Sequence, residues 1–182
     1  VASLGEESLI KAIRAWLGSA APESPYGMGD DCAQIAPSTR AQLITVDPVV
    51  YGRHFDDRIA PRHVGEKLLK RNLSDIAAMG GKPTAAVIDV KIVGGDIAQA
   101  ENHFSASLTM LGTATSKRVL TRQGGQIGDV LYVTGRLGGS LASGRHYRFQ
   151  PRLAEGAWLA KQRAVLAMMD LSDGLGKDLR AI

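Results

Sequence analysis

Aspartate residues beside glycines or at the ends of predicted elements are the residues of this chain best suited to chemistry. They occur at Asp30, Asp31, Asp47, Asp75, Asp96, Asp170 and Asp173. A neighbouring glycine lets the backbone approach a ligand while the carboxylate points into a cleft. If these carboxylates converge, their mutual repulsion requires cations, and Mg²⁺ binds carboxylate, water and phosphate oxygens. Such an arrangement supports phosphoryl transfer, which depends on positioning and on neutralising charge.

Each aspartate also has a structural explanation when it is taken alone. Gly-Asp pairs are common in turns that bind no ligand. Asp75 could pair with Arg71 one helical turn earlier, and Asp173 could cap the final helix. The residues by themselves therefore allow a metal site built from several aspartates and do not select it over structural roles.

Other catalytic classes lack their usual residue patterns in this sequence. The one cysteine, Cys32, and the four histidines show no ligand spacing for zinc. Neither the phosphate-binding pattern G-x-x-x-x-G-K-[ST] nor the dinucleotide pattern G-x-G-x-x-G occurs. If the protein uses ATP, it does so through another architecture.

Composition narrows the class of partner. The 182 residues are 45% hydrophobic, enough for a core, and the net charge is +4. Lysine and arginine are dispersed rather than clustered, which argues against nucleic acid and favours small anionic substrates. No apolar run is long enough to span a bilayer, and residues 1–7 lack the pattern of a signal peptide. With a single cysteine, these features predict a cytoplasmic protein without a membrane or nucleic-acid partner.

Helices and strands that position the aspartates follow from periodicity and capping. A capping box at Ser3 and Glu6 predicts a first helix that ends near Gly18, and a second helix is predicted over 61–79 with Asp75 inside it. Strands are predicted at 42–46, where Asp47 closes the strand, and at 85–93, 105–114 and 130–134, with further helices at 154–168 and after 174. Because the order lacks βαβ regularity, α+β or a sandwich is favoured over a doubly wound sheet, and the predicted fold class is α+β. A polar, basic stretch at 116–122 predicts two domains, 1–116 and 117–182.

Six groups of motifs together resemble the thiamine-monophosphate kinase family, within the aminoimidazole-ribonucleotide-synthetase-like superfamily. The most specific are N-L-S-D-I-A-A-M-G at 72–80 and D-L-S-D-G-L at 170–175. The others, in family order, are G-D-D-C-A at 29–33, T-V-D at 45–47 with G-R-H-F at 52–55, G-G-D at 94–96, and R-Q-G-G at 122–125 with G-D at 128–129 and T-G at 134–135.

The resemblance implies ATP-dependent phosphorylation of thiamine monophosphate to thiamine diphosphate by direct transfer of the γ-phosphoryl group. It implies that Asp75 and Asp173 are catalytic and that His54 contacts the thiamine phosphate. The implied ATP contacts are Gly95, Arg122 and Ser172. The implied Mg²⁺ ligands are Asp30, Thr45, Asp47, Asp75, Asp96, Asp170 and Asp173. The implied fold is a two-layer N-terminal domain that forms a homodimer through its sheet, followed by a C-terminal α/β sandwich domain of which only part is present.

Four features depart from the family pattern. Val46 replaces a usual threonine in the metal loop, and Cys32 replaces a usual alanine. The segment at 90–92 lacks a helical connection and a nucleotide-holding tyrosine expected before 94–96, and most of the second domain is expected beyond Asp173. Two alternatives therefore stay open: a related ATP-dependent synthetase that activates an amide oxygen, and a non-catalytic nucleotide-binding paralogue.

Overall fold

The computed structural model describes residues 6–23, 26–27, 34–92 and 104–182. The chain forms two compact units, residues 1–38 and 39–182. The first unit contains helix α1 (Glu6–Leu17), followed by a 3₁₀ turn at Gly18–Ala20. The predicted end of this helix near Gly18 is confirmed, whereas Ser3 of the predicted capping box lies outside the described residues.

A three-stranded antiparallel sheet and one long helix form the core of the second unit. The strands are β1 (Gln42–Val50), β2 (Gly81–Ile92) and β3 (Phe104–Ala114), in the order β1-β3-β2. Every second residue of β3 from Ala106 to Ala114 is buried, as expected for a sheet that is covered on one face. Helix α2 (Pro61–Ala78) packs on that face through Val64, Leu68 and Ile76.

Helix α2 matches its prediction closely because both of its ends carry local signals. Pro61 stands in the first turn, where its missing N–H costs nothing. Gly80 follows the helix with φ of +67°, a left-handed conformation that favours glycine. The helix therefore ends two residues before Gly80, and β2 begins directly at Gly81.

Strand β1 is longer than predicted, and Asp47 does not close it. Asp47 lies mid-strand, opposite Leu108 of β3, and the pairing continues through Pro48 to Val50. A proline is tolerated here because β1 lies at the edge of the described three-stranded sheet. The prediction that Asp47 closes a strand is wrong.

Strand β2 also begins earlier than predicted, at Gly81 rather than at residue 85. Its register with β3 shifts between Pro83 and Ala85, so the proline falls at an irregularity of the ladder. Pairing then runs without a break to Ile92 and Phe104. The predicted long strand is confirmed as one element as far as Ile92.

Two predictions in the C-terminal part are wrong. Residues 130–134 form no strand and are largely exposed, because no strand of the described residues lies beside them. The predicted helix at 154–168 is only the short α4 (Leu153–Leu159). The backbone that follows α4 is bound by side chains from the segment just after β3. Ser116 donates a hydrogen bond to Ala160 O, and Arg118 donates one to Gln162 O.

Short helices complete the second unit. They are α3 (Arg145–Arg148) and α5 (Leu175–Asp178), with a 3₁₀ turn at Leu179–Ala181, so the predicted helix after 174 is confirmed. Helix α4 approaches α2 so closely that a Cβ on Gly156 would lie 2.1 Å from the Ala77 carbonyl oxygen. In the described part of the chain, no helix has the length and apolar character needed to cross a membrane.

Candidate functional site

Strand β1 and helix α2 bring Thr45 and Asp75 into direct contact. Residues 43, 45, 47 and 49 of β1 are buried or half-buried, whereas Ile44 and Val46 are exposed. Successive side chains of a strand point to opposite faces, so Thr45 faces α2 and Val46 faces away from it. Thr45 Oγ1 donates a 2.6 Å hydrogen bond to Asp75 Oδ2. The replacement at position 46 therefore lies on the opposite face from these two residues.

Asp47 is held by two consecutive residues of α2. Its carboxylate forms an ion pair with Arg71, with Nε 2.9 Å from Oδ2. Its backbone is bound by the amide of Asn72, which is fully buried: Oδ1 accepts from Asp47 N at 3.1 Å and Nδ2 donates to Asp47 O at 3.4 Å. Arg71 thus pairs with Asp47, and the pairing of Arg71 with Asp75 considered above is wrong.

Asp170 lies close enough to Asp75 to affect the ionisation of Asp75. Burial raises the pKa of Asp75 to about 6, and repulsion from Asp170 and Asp47 adds to the rise, against the Thr45 hydrogen bond and Arg71. Burial likewise raises the pKa of Asp170, and the charge of Arg122 opposes that rise. The structure therefore places Asp47 and Asp170 near enough to Asp75 to act on its charge, and Arg122 near enough to act on Asp170.

The chemistry of this group suits a hard cation. Half-buried carboxylates that repel one another are stabilised by a divalent ion, and a threonine hydroxyl adds a further oxygen. In the described parts of the chain, no three acidic, histidine or cysteine side chains lie close enough together to hold one ion. Three of the predicted site residues lie outside the described residues: Asp30, Gly95 and Asp96.

The loop that carries Ser172 and Asp173 is exposed and is held by a residue that sequence reasoning missed. Asp178 is buried, and its Oδ2 accepts hydrogen bonds from the backbone N–H groups of Asp173 and Gly174, both at 3.0 Å. Asp173 forms an ion pair with Lys177, which holds its pKa below the usual range; Arg71 acts in the same direction. Because Gly174 is the N-cap of α5, Asp173 does not cap this helix. Asp178 lies three positions after the D-L-S-D-G-L motif at 170–175. Only its burial in the structure distinguishes it from an ordinary surface aspartate.

His54 is fixed as a neutral ring with a defined tautomer. Its Nδ1 accepts a 3.0 Å hydrogen bond from the backbone N–H of Val50, so the proton of the neutral ring is on Nε2. Lys67, which is buried, donates from Nζ to the His54 carbonyl oxygen at 2.7 Å. Burial lowers the pKa of His54, and the nearby charges of Arg71, Lys67 and Arg53 lower it further.

A family model indicates the class of protein to which the sheet and its covering helix belong. The family model described as "AIR synthase related protein, N-terminal domain" matches residues 29–89, which include β1, α2 and most of β2. The match thus covers the elements that carry Thr45, Asp47 and Asp75.

Individual relatives identify the family within this class. Thiamine-monophosphate kinase of Rhodopirellula baltica is 33% identical over 87% of this chain and 60% of its own length. The enzyme of that name from Escherichia coli K12 is 31% identical over 96% of this chain and 67% of its own length. The chain belongs to the thiamine-monophosphate kinase family. It spans about 60% of the length of the Rhodopirellula relative.

A solved structure agrees in fold. The protein described as "AaThiL complexed with AMPPCP and TMP" superimposes with a TM-score of 0.67 at 27% identity, over 100% of this chain and 70% of that chain. The mixed α and β architecture is therefore that of thiamine-monophosphate kinase structures. The alignment with the Escherichia coli relative runs over 222 positions, more than the 182 residues present here, so that relative contains internal residues without a counterpart in this chain.

Proposed function

We propose that this protein phosphorylates thiamine monophosphate to thiamine diphosphate, with ATP as the phosphoryl donor. The observation that carries the proposal is the contact of Thr45 in β1 with Asp75 in α2, while Asp47 and Asp170, the latter from the segment before α5, are near enough to raise the pKa of Asp75. Family membership supports it, as does the related structure that is complexed with AMPPCP and TMP.

In this proposal the acidic residues hold Mg²⁺, which neutralises phosphate charge when it is bound. Thr45, Asp47, Asp75 and Asp170 form the part of the metal site that lies in the described residues. The further ligands that the resemblance implies are Asp30, Asp96 and Asp173. Asp75 and Asp173 are the residues assigned to catalysis.

The substrates contact residues around this metal site. ATP is assigned to Gly95, Arg122 and Ser172, and the effect of Arg122 on Asp170 supports a place for Arg122 beside the acidic group. The thiamine phosphate is assigned to His54. With Nδ1 already accepting from Val50, the ring offers Nε2–H as a donor to a phosphate oxygen.

We further propose that the protein is a homodimer formed through the open face of its sheet. Ile44, Val46 and Val87 are 70%, 58% and 65% exposed on the face opposite α2. Val46 and Val87 lie in register on either side of Thr109, so the apolar side chains form one surface across all three strands. A second copy would remove this surface from water.

The decisive experiment measures thiamine diphosphate formed from thiamine monophosphate, ATP and MgCl₂. The parent protein should form this product only when metal is present. Asp75→Asn and Asp173→Asn should each lower kcat by about a hundredfold or more, because they remove charge that holds the metal. Glu155→Gln, which breaks an exposed ion pair on α4, is the matched control and should match the parent.

Product identity separates this function from its alternatives. A related synthetase would consume ATP without making thiamine diphosphate, and a binding-only paralogue would bind ATP and release no ADP. Equal turnover of the parent, Asp75→Asn and Asp173→Asn would show that the catalytic assignment is wrong.

A further inference from the structure

Arg71 is a permanent positive charge placed within the acidic site. It projects from α2, and its Nε lies 2.9 Å from Asp47 Oδ2, with both side chains only about a quarter exposed, at 24% and 25%. Asp47 therefore has a counter-ion supplied by the protein itself.

The charge of Arg71 also reaches the other assigned residues. It lowers the pKa of Asp75, of Asp173 and of His54, although it forms its ion pair with Asp47 alone among them. A cation that binds at this site thus meets a positive charge already present. Like charges within a few ångströms of each other in a partly buried site change an affinity by about tenfold or more.

We propose that Arg71 competes with the divalent cation for Asp47 and thereby sets the affinity of the metal site. This inference rests on the metal site of the proposed function. In the metal-free protein the Arg71 guanidinium neutralises Asp47. A cation that binds there must either displace the guanidinium or bind despite repulsion from it. Arg71 is accordingly a positioning residue for Asp47, and its removal strengthens cation binding.

The surroundings of Asp47 indicate that removal of Arg71 strengthens cation binding rather than displacing the Asp47 carboxylate. The Asn72 side chain holds the backbone N–H and C=O of Asp47 independently of Arg71. Removing the guanidinium therefore leaves the position of Asp47 in the strand unchanged and increases the negative charge that attracts a cation. If Arg71 only held Asp47 in place, its loss would weaken cation binding instead.

The test is calorimetric titration of the full chain with MgCl₂ alone, without nucleotide. Arg71→Gln should bind Mg²⁺ about tenfold more tightly than the parent. Arg71→Lys keeps the charge and should stay within about threefold of the parent. Arg62→Gln removes the same charge from an exposed ion pair on the same helix and should match the parent. Arg71→Met is a second neutral variant, and circular dichroism selects the one that folds.

The outcomes distinguish this inference from the proposed function. Equal or weaker Mg²⁺ binding by the folded neutral variant overturns the role of Arg71, even if the parent makes thiamine diphosphate. Tighter binding by that variant supports the role of Arg71, even if no thiamine diphosphate forms and the proposed function fails. If neither the parent nor the folded neutral variant binds Mg²⁺, both the role of Arg71 and the proposed metal site are wrong.

Discussion

Asp75 shows how the site balances the cost of a half-buried carboxylate. Burial and two neighbouring aspartates disfavour its charge, whereas a hydrogen bond from Thr45 and the charge of Arg71 favour it. The disfavouring effects win, since the pKa of Asp75 rises to about 6. The metal-free site is therefore under electrostatic strain near neutral pH, as expected for a place that a cation would stabilise.

The raised pKa predicts how stability depends on pH without metal. Between the ordinary pKa of 3.8 and about 6, folded Asp75 binds a proton that the unfolded chain releases. This contribution to stability is complete below the unfolded pKa and is lost as pH rises through about 6. Urea unfolding in EDTA from pH 4.5 to 7.5 should show the loss in the parent.

The Asp75→Asn variant isolates this effect, because its amide cannot ionise. The free energy of unfolding of the variant, relative to that of the parent, should increase as pH rises from 4.5 to 7.5. A difference between the two proteins that stays constant over this range contradicts the raised pKa.

The Thr45 hydroxyl provides a second prediction at the scale of single residues. Thr45→Val removes the donor to Asp75 Oδ2 with little change in shape, and a bond to a charged acceptor is worth roughly 1.5–3 kcal/mol. We expect kcat to fall by about tenfold and the pKa of Asp75, followed by NMR, to rise further. Thr45→Ser keeps the hydroxyl and should retain most of the activity.

Position 46 supplies the matched control for Thr45. Val46→Thr adds a hydroxyl to the same strand on the face opposite α2, where the Val46 side chain is exposed. It should leave kcat unchanged. A rise in kcat would show that the family threonine at this position does contribute to the site.

At the scale of elements, Asn72 joins α2 to the edge strand β1. An edge strand presents backbone groups that lack a neighbouring strand, and the Asn72 amide satisfies both groups of Asp47. The same side chain donates to the Leu68 carbonyl oxygen at 3.0 Å, which ties it to its own helix. A single buried amide thereby sets the distance between the helix and the strand that carry the site.

Asn72→Leu should lower the free energy of unfolding by about 2–3 kcal/mol, because a side chain of similar volume leaves buried backbone groups without partners. Chemical denaturation measures the change. Arg62→Gln, on the exposed side of α2, should change stability by less than about 0.5 kcal/mol. Equal effects of the two substitutions would remove the special role of Asn72.

At the scale of the whole molecule, the uncovered face of the sheet is one exposed apolar surface of the described residues. One face of the sheet is covered by α2, whereas the other exposes Ile44, Val46 and Val87. Ile44 and Val46 belong to the strand that carries Thr45 and Asp47, and they lie on its opposite face. A dimer through this face would therefore pack against the side of β1 that is opposite Thr45 and Asp47.

Light scattering after size exclusion tests the dimer. The parent should have the mass of two chains, and Ile44→Lys combined with Val46→Lys should have the mass of one, because two charges in an apolar interface are costly to bury. Leu69→Lys alters an exposed apolar residue on α2 instead and should leave the mass unchanged. A parent that is already monomeric would contradict the proposed homodimer.

Local signals in the sequence determined several elements. Helix α2 was predictable because its proline start and glycine stop lie within the segment itself. Strand β3 was predictable because apolar or small residues alternate with mainly hydroxyl residues, a pattern that favours a sheet with one buried face. Predictions failed where an element needs a distant partner: no strand of the described residues lies beside 130–134, and the helix predicted at 154–168 ends at Leu159.

The contacts within the site were decided only by the tertiary structure. Family motifs pointed to Thr45, Asp47 and Asp75 as site residues, but spacing along α2 suggested the wrong partner for Arg71. The ion pair with Asp47 spans 24 positions and the Thr45–Asp75 hydrogen bond spans 30. Such contacts depend on how β1 packs beside α2, which the burial of apolar side chains from both elements determines. Periodicity along one helix or strand reveals which of its faces is buried. The partner of a charged side chain depends instead on which other element packs against that face.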